Sequence, residues 1–327
     1  MWGLRLQHLC GFLHYLYRIT KTGSGLSKNI HLISCNFFCF PLNLLGKPLL
    51  SGVSIFQEEI FFVTGKGGVG KSSVAAAIAH KIAKTSNDVK LVDLDQYFRN
   101  MFEQDKQIDF SVEEWTGMKC LSEYVDHLVK LRGLGKLFFD NPVMSKLLNI
   151  APGLFELAIL GKLSSKQREH GPPLSYDKLI LDSYATGHSL SMLKAPFVMA
   201  ESITRGPMHV QSQGIISVLQ SEAFQPVVVV TPELMAVEES IELATEIERL
   251  LGKKSLFVIN RIYKEFADLP DLENPWEKFL YQKKNELDKV RELLEAKSYQ
   301  YLESPLVTNA ETSLDLLEKM GAQWKIS

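Results

Sequence analysis

The sequence predicts an α/β fold in which a doubly wound, mainly parallel β-sheet is covered by helices. Short apolar runs such as Ile60–Thr64 and Val227–Thr231 alternate along the chain with longer helical patterns. Strands buried on both faces of a parallel sheet have such unbroken apolar runs, whereas half-exposed strands alternate apolar with polar residues. A glycine-rich segment between the first apolar run and the first helical pattern is a second indication of βαβ units.

The elements can be assigned in order along the chain. The predicted strands are Ile60–Thr64, Val89–Leu94, Lys178–Leu181, Val227–Thr231 and Leu256–Ile259, with a last edge strand at Tyr301–Val307. The predicted helices are Ser72–Lys84, Glu233–Leu251 and Trp276–Ala296. The leucine-rich interval between the second and third strands, about residues 110–173, predicts an inserted helical subdomain. Ligands of a doubly wound sheet lie at the carboxyl ends of its strands, so we expect the functional residues there.

The composition is that of an ordinary globular chain. Of the 327 residues 46% are apolar and 23% are charged, so a full core can be buried without disulfide bonds or metal ions. The formal net charge of −2 gives no general attraction to nucleic acid, and no nucleic-acid partner is expected. Of the four cysteines only Cys120 lies beyond the first sixty residues, and no CxxC pair is present, so we expect no zinc site in the folded part. This cysteine usage predicts a cytoplasmic protein.

The first 57 residues differ from the rest in charge. From Met1 to Gln57 the chain has no aspartate or glutamate but several lysines and arginines. Neither apolar run in this stretch reaches the ~18–20 residues that a membrane span requires. Three interpretations stay open: a targeting segment, a weak membrane-associating leader, or a non-native extension translated from an upstream start. We favour the third and predict that residues 58–327 form one domain, which includes the helical insertion.

Residues 65–72 read GKGGVGKS and satisfy the phosphate-loop pattern G-x-x-x-x-G-K-[ST] in full. The backbone of such a loop turns its N–H groups toward phosphate, and glycines keep side chains out of that space. Lys71 is expected to place a positive charge at the β- and γ-phosphates, and the Ser72 hydroxyl to coordinate Mg²⁺. The helix that begins there directs its positive dipole end at the anion. The predicted nucleotide contacts in the loop are Gly65, Lys66, Gly67, Gly68, Val69, Gly70, Lys71, Ser72 and Ser73.

Lys66 is a second lysine inside this loop. A lysine directly after the first glycine can reach the phosphates of a neighbouring subunit or lie across its own site. The simpler alternative is a solvated lysine on an exposed loop. Because it lies within an intact GKGGVGKS string, we predict a functional role for Lys66.

Acidic residues follow two of the predicted strands. Asp93-Leu94-Asp95 closes the second strand, and Asp182 closes the third. A site for Mg²⁺ and a nucleotide needs carboxylates at such positions, to hold the metal's water shell and to orient the attacking water. We assign the metal-side role, partly through water, to Asp182 and the water-orienting role to Asp95. Asp93 points to the same face as Asp95 on an extended strand, so one of the two can be structural. Helix capping is the alternative for each acid.

Several strings of the chain resemble the deviant-Walker-A ATPases, and within them the ArsA-like, anion-transporting branch. They are GKGGVGKS at 65–72, DSYATGHSLSML at 182–193, VVVVTPELMAVEES at 227–240 and FVINR at 257–261. The resemblance covers roughly Glu59 to the C-terminus. It implies a P-loop NTPase domain of which two copies pair face to face across ATP, and whose hydrolysis drives the opening and closing of the pair.

The resemblance also implies individual roles. Lys66 corresponds to the signature lysine, Asp95 to the switch I acid and Asn260 to the adenine contact, while Gly187 and His188 belong to switch II. We interpret His188 as a hydrogen-bonding residue that couples nucleotide state to the helical insertion, in preference to a catalytic base. The predicted catalytic residues are Lys66, Lys71 and Asp95, and the predicted magnesium ligands are Ser72 and Asp182.

The chain also departs from the ArsA-like pattern. The string VDLDQYFRN at 92–100 is closer to the MinD/ParA positioning and partition ATPases, and Ala185 replaces the switch II proline. Cys120 stands alone in the folded part, so an arsenite-binding cysteine cluster and a zinc-clamped dimer are both disfavoured. A single phosphate loop does not fit a pump subunit with two halves in one chain.

Two classes of function therefore stay open. The first is an ATP-hydrolysing switch that closes as a homodimer and acts on a protein client or a membrane-protein partner, in the cytoplasm or peripheral to a membrane. The second is a positioning or partition ATPase of the MinD/ParA type. The acidic tail at 311–327 disfavours an anionic-lipid anchor. A third reading, nucleotide binding without useful turnover, is kept because of the altered switch residues. Apolar residues of the insertion fit a client groove or, more simply, the insertion's own core.

Overall fold

The computed structural model describes residues 56–98, 108–129, 153–263 and 273–324. All of them belong to one of the chain's two compact units, Gly52–Ser327. The predicted extension, residues 1–57, lies almost wholly outside the described residues, as do residues 130–152 of the predicted insertion. The boundary at residue 58 therefore stays a prediction.

The described residues contain a seven-stranded sheet in which every pairing is parallel. The strand order is β3-β2-β4-β1-β5-β6-β7. Strand β1 lies in the middle, with β2, β3 and β4 on one side and β5, β6 and β7 on the other. The strands are β1 (Ile60–Gly65), β2 (Val89–Asp93), β3 (Ser111–Glu114), β4 (Lys178–Asp182), β5 (Phe224–Val230), β6 (Leu256–Ile262) and β7 (Tyr301–Pro305). The predicted doubly wound α/β class is confirmed.

Helices cover both faces of the sheet. They are α1 (Lys71–Ala83), α2 (Gly117–Val129), α3 (Leu154–Leu163), α4 (Ser165–Arg168), α5 (Thr186–Ser202), α6 (Pro207–Gln220), α7 (Leu234–Leu251), α8 (Pro275–Ala296) and α9 (Ser313–Gly321). Alternate residues of β1 point to opposite sides: Phe61 and Val63 pack with α1 and α9, whereas Ile60 and Phe62 pack with α3, α5, α6 and α7. Helices α7 and α8 share a further cluster over β5 and β6.

Local sequence explains where several helices begin and end. The small side chains of α1, mostly alanine, let this helix lie close against the sheet, and seven of its residues are buried. Helix α8 begins with Pro275 after Asn274, whose side chain accepts a hydrogen bond from the Trp276 amide. Helix α7 ends at Gly252, which has the left-handed conformation (φ 74°) that ends many helices.

The interval predicted as a helical insertion also contains a strand, which the sequence pattern did not indicate. Strand β3 pairs with β2 at the edge of the sheet, and its residues read SVEE. Because an edge strand is covered on fewer sides, all four residues are exposed or half-buried and form no continuous apolar run. The described remainder of the interval contains the helices α2, α3 and α4.

The acidic C-terminal tail forms α9, and its apolar face is used within the fold. Leu317, Met320 and Trp324 are buried against α1. The Trp324 indole N–H donates to the Glu303 carbonyl at 3.0 Å, which ties the tail to β7. Among the described residues, no helix is long and apolar enough to span a bilayer.

Candidate nucleotide site

The phosphate loop connects the middle strand β1 to α1 at the carboxyl edge of the sheet. Gly65, the last residue of β1, lies so close to β5 that a Cβ atom there would be 2.4 Å from the Val229 carbonyl oxygen. Around Gly67 and Gly68 there is open space. The loop therefore packs against the sheet on one side and exposes its backbone on the other, as a phosphate cradle requires.

A buried asparagine supports this loop from below. The Asn260 Nδ2 donates to the Val69 carbonyl at 2.9 Å, and the side chain is almost fully buried. Gly70 has φ 90°, and a Cβ atom there would lie 2.4 Å from Asn260 Nδ2, so glycine is required for the contact. A register shift between β6 and β7, with Arg261 at φ 64°, follows directly after Asn260. Such bulges re-aim neighbouring side chains. The predicted adenine contact of Asn260 stays a prediction; the contact described here is to the loop.

Replacing Asn260 with aspartate should weaken both the fold and nucleotide binding. The substitution keeps the size of the side chain but places a carboxylate oxygen against the Val69 carbonyl, so a buried donor is lost and two acceptors face each other. We expect unfolding free energy to fall by about 1–3 kcal/mol and ATP to bind less tightly. Urea unfolding and titration with a fluorescent ATP analogue measure the two effects. The exposed Asn285 on α8 gives the control Asn285→Asp, and equal behaviour of both variants would contradict the assigned role.

Asp182 lies at the carboxyl end of β4, beside the loop. It is 2% exposed, and the Ser72 and Lys71 side chains are close enough to favour its charged form. The buried Oδ1 atom has no hydrogen-bond partner among the described residues. Burial raises the pKa of Asp182 to about 7; Ser72 and Lys71 act in the opposite direction. Ionised Asp182 therefore lacks a positive partner strong enough to offset its burial.

This arrangement fits a magnesium ion. Mg²⁺ prefers oxygen ligands and keeps much of its water shell, so it is held by one or two protein oxygens together with phosphate oxygens. The Ser72 hydroxyl and the unpartnered Asp182 oxygen supply such a pair. Within the described residues no group of three or more His, Cys, Asp or Glu side chains could hold a metal by itself.

Asp93 and Asp95 have different environments, which separates their roles. Asp93 is fully buried, and its carboxylate accepts hydrogen bonds from the backbone amides of Asp95 (3.0 Å) and Phe98 (2.8 Å). Burial raises the pKa of Asp93, and these hydrogen bonds oppose that rise. Asp95 follows the end of β2, and its side chain is exposed at the same edge as Asp182. Asp93 thus shapes the loop that presents Asp95.

The segment after β4 connects the site to the helical layer. The Thr64 hydroxyl, at the end of β1, donates to Ser189 Oγ of α5 at 2.6 Å. The His188 ring stacks on Tyr184 with ring centroids 4.1 Å apart, and His188 Nε2 lies 3.2 Å from Glu156 Oε1 of α3. Residues beside the phosphate loop are thereby joined to the first turn of a helix in the insertion.

Lys66 makes an ion pair with a residue of α7. Its Nζ atom donates to Glu239 Oε2 at 2.6 Å, and both side chains are more than half exposed. Lys71, at the start of α1, is instead near Asp182. The two lysines of the loop therefore contribute their charges at different positions, Lys71 at Asp182 and Lys66 at α7.

Cys120, in the described part of the insertion, is buried and unpaired. Burial raises the pKa of its thiol to about 12, so the thiol stays protonated at neutral pH. Only the thiolate is a good ligand for soft ions. The buried, protonated Cys120 thiol is therefore a poor ligand for arsenite or zinc.

The fold brings the predicted site residues to the carboxyl ends of the parallel strands. The sequence analysis missed four residues. Glu239 pairs with Lys66, Glu156 and Tyr184 contact His188, and Thr64 bonds Ser189 in the segment after β4. Thr64 left one signal, a polar residue at the end of a buried apolar strand. No sequence signal marks Glu156 or Glu239, because acidic residues are common on exposed helix faces.

Comparison with known proteins gives one family and several relatives. The family model described as anion-transporting ATPase (ArsA_ATPase) matches residues 58–227. ATPase BagA of Mycobacterium tuberculosis is 26% identical over 241 residues, which cover 68% of this chain and 69% of the relative. ATPase ASNA1 homolog 1 of Paramecium tetraurelia is 27% identical over 169 residues, covering 49% and 50%. ATPase get3 of Pyrenophora tritici-repentis is 25% identical over 163 residues, covering 44% and 45%.

Proposed function

The chain belongs to the anion-transporting ATPase family and is an ATPase, and we propose that it works as a nucleotide-driven switch in which two copies close on ATP and open after hydrolysis. The observation that carries the proposal is the grouping of Lys71, Ser72 and Asp182 beneath an exposed glycine loop, with one buried carboxylate oxygen unpartnered.

In the proposed mechanism the loop amides and Lys71 bind the β- and γ-phosphates. Ser72 and Asp182 would hold Mg²⁺, which when bound would neutralise charge at the phosphates. Asp95 orients the attacking water, and Asp93 fixes the loop on which Asp95 lies. Lys66 contributes its charge from the second copy. Since phosphoryl transfer depends mainly on positioning and electrostatic stabilisation, these groups are sufficient for the chemistry.

The switch would be transmitted through the segment after β4. Loss of the γ-phosphate changes the contacts of this segment, and His188 and Tyr184 connect it to Glu156 of α3. The insertion would then respond to nucleotide and act on a protein client or a membrane-protein partner. Most of the apolar insertion residues lie outside the described part of the chain. Phe155 lies against Gly117 of α2, where an added Cβ would be only 2.4 Å away, which supports internal packing for this residue.

The relatives named ATPase ASNA1 homolog 1 and ATPase get3 support an ATPase of this family. The MinD/ParA alternative has no comparable support from them. In addition, the apolar face of α9 is buried against α1 and so does not form a membrane anchor.

Replacing Asp95 with asparagine tests the proposed mechanism. Asparagine keeps the size of the side chain but cannot accept a proton or orient water as strongly, so ATPase turnover should fall by about 10²-fold or more, while ATP still binds and the dimer persists. Steady-state ATPase assays and sedimentation velocity with ATP, ADP and no nucleotide measure these properties. The exposed Asp109 provides the control Asp109→Asn. Turnover of Asp95→Asn equal to wild type, or a sedimentation coefficient of wild type that ATP does not change, would contradict the proposal.

A further inference from the structure

The ion pair between Lys66 and Glu239 joins the phosphate loop to α7, the helix that follows β5 along the chain. Glu239 lies in the second turn of α7, 173 residues along the chain from Lys66. The lysine Nζ and the carboxylate oxygen are 2.6 Å apart. The two neighbouring exposed acids of α7, Glu238 and Glu242, have no such contact with the loop among the described residues.

This contact is relevant to the site because a Lys66 ammonium that is paired with Glu239 contributes its charge at α7. When its Nζ donates to Glu239, the charge lies over α7 and is neutralised there. Under the proposed function the same ammonium also binds a phosphate of the second copy's ATP, and a side chain that moves to that phosphate gives up its contact with Glu239. Glu239 and a phosphate of the second copy's ATP are therefore competing anionic partners for the same lysine.

We propose that Glu239 is a positioning residue that holds Lys66 on its own subunit and thereby opposes closure of the dimer on ATP. The inference rests on the proposed function, because it assumes that Lys66 acts on the second copy. Each closing event then exchanges a Lys66–Glu239 contact for a Lys66–phosphate contact, on both subunits of a symmetric pair. Glu239 in this way sets the ATP concentration at which the pair closes.

The strength of the contact determines the size of the effect. Lys66 and Glu239 are 57% and 55% exposed, so water and salt screen their attraction and the pair is weak. A weak contact raises the ATP concentration needed for closure by a small factor and does not prevent closure, because a phosphate with its greater negative charge competes successfully. The contact is also salt-sensitive, unlike a buried packing interaction.

Glu239→Gln is the variant that tests the inference. It keeps the helix and the side-chain size but removes the charge, so we expect half-maximal dimer formation at an ATP concentration about two- to fivefold lower than for wild type. Sedimentation velocity across a titration with a non-hydrolysable ATP analogue and Mg²⁺ measures this. The difference between variant and wild type should shrink as NaCl is raised from 50 mM to about 500 mM, since screening removes the wild-type contact.

Glu242→Gln and Glu238→Gln remove the same charge from the same helix and should match wild type at every salt concentration. An unchanged or raised half-maximal concentration for Glu239→Gln overturns the inference. So does an equal shift in the control variants, which would assign the effect to the helix's general charge. Lys66→Ala in the same assay distinguishes failure of the proposed function from failure of the role of Glu239 alone. If it closes and hydrolyses like wild type, the proposed function fails; if it fails to close while Glu239→Gln equals wild type, only the role of Glu239 fails.

Discussion

Replacing Lys66 with alanine should abolish ATP-driven dimer formation and lower ATPase turnover by about 10³-fold, while the isolated chain still binds ATP. The glycine loop and Lys71 remain intact in this variant, and the Lys66 ammonium is paired with Glu239 of α7. Under the proposed function this variant lacks a charge that the second subunit supplies, so it loses stabilisation of the transition state but keeps the phosphate cradle. ATPase assays, fluorescent-ATP binding and sedimentation velocity report the three properties. Lys289→Ala, on the exposed face of α8, is the matched control.

Mixing two inactive variants distinguishes action on the second copy from action on the same chain. A heterodimer of Lys66→Ala with Asp95→Asn contains one site in which an intact Asp95 faces an intact Lys66 from the other subunit. An equal mixture should therefore show turnover well above that of either variant alone. Random pairing, in which half of the pairs are mixed, would give about a quarter of wild-type turnover, and the value falls below this to the extent that a mixed pair, with one of its two Lys66 contacts, closes less readily. If Lys66 acts on its own loop, no site in the mixture is complete and turnover stays low.

The sequence was sufficient for most of the sheet because its strands are buried on both faces. Ile60–Thr64 and Leu256–Ile259 were recognisable as unbroken apolar runs, and each became part of a strand. Strand β3 could not be recognised, because the half-exposed SVEE segment at the edge of the sheet lacks the burial that produces such a run. The prediction therefore failed for a strand whose half-exposed position accepts polar side chains as readily as apolar ones.

The candidate site divides in a similar way. The phosphate loop is local in sequence, so its residues could be named without a structure. The difference between Asp93 and Asp95 depended on where β2 ends, since Asp93 is buried in the strand and Asp95 follows it. Contacts between distant segments were invisible, because Lys66–Glu239 and Asn260–Val69 are separated by 173 and 191 residues. Only the fold brings these partners together.

Asp182 has a stability consequence that follows from its environment. Burial raises the pKa of Asp182 from an ordinary 3.8 to about 7, so between these values the folded chain holds a proton that the unfolded chain has lost. Folding stability from this group is therefore complete below about pH 4 and decreases as pH rises to about 7. Above pH 7 the folded chain carries a buried carboxylate without a sufficient partner. The loss amounts to a few kcal/mol, about 4 at most, since a tenfold change in proton affinity corresponds to about 1.4 kcal/mol.

Asp182→Asn should therefore stabilise the protein while destroying its activity. The amide is neutral at every pH, so in the absence of nucleotide its advantage in unfolding free energy should grow from near zero at pH 4 to a few kcal/mol at pH 8. The same change removes the carboxylate that we assign to Mg²⁺, so added Mg²⁺ and ATP should raise the melting temperature of wild type and have little effect on the variant. Urea unfolding at four pH values and thermal melts with and without Mg²⁺ and ATP test both halves. Asp109→Asn, an exposed carboxylate, should show neither effect. A variant less stable than wild type at pH 8 would show that the ionised carboxylate is stabilised by groups other than those described, whereas retained stabilisation by Mg²⁺ and ATP would remove Asp182 from the metal site.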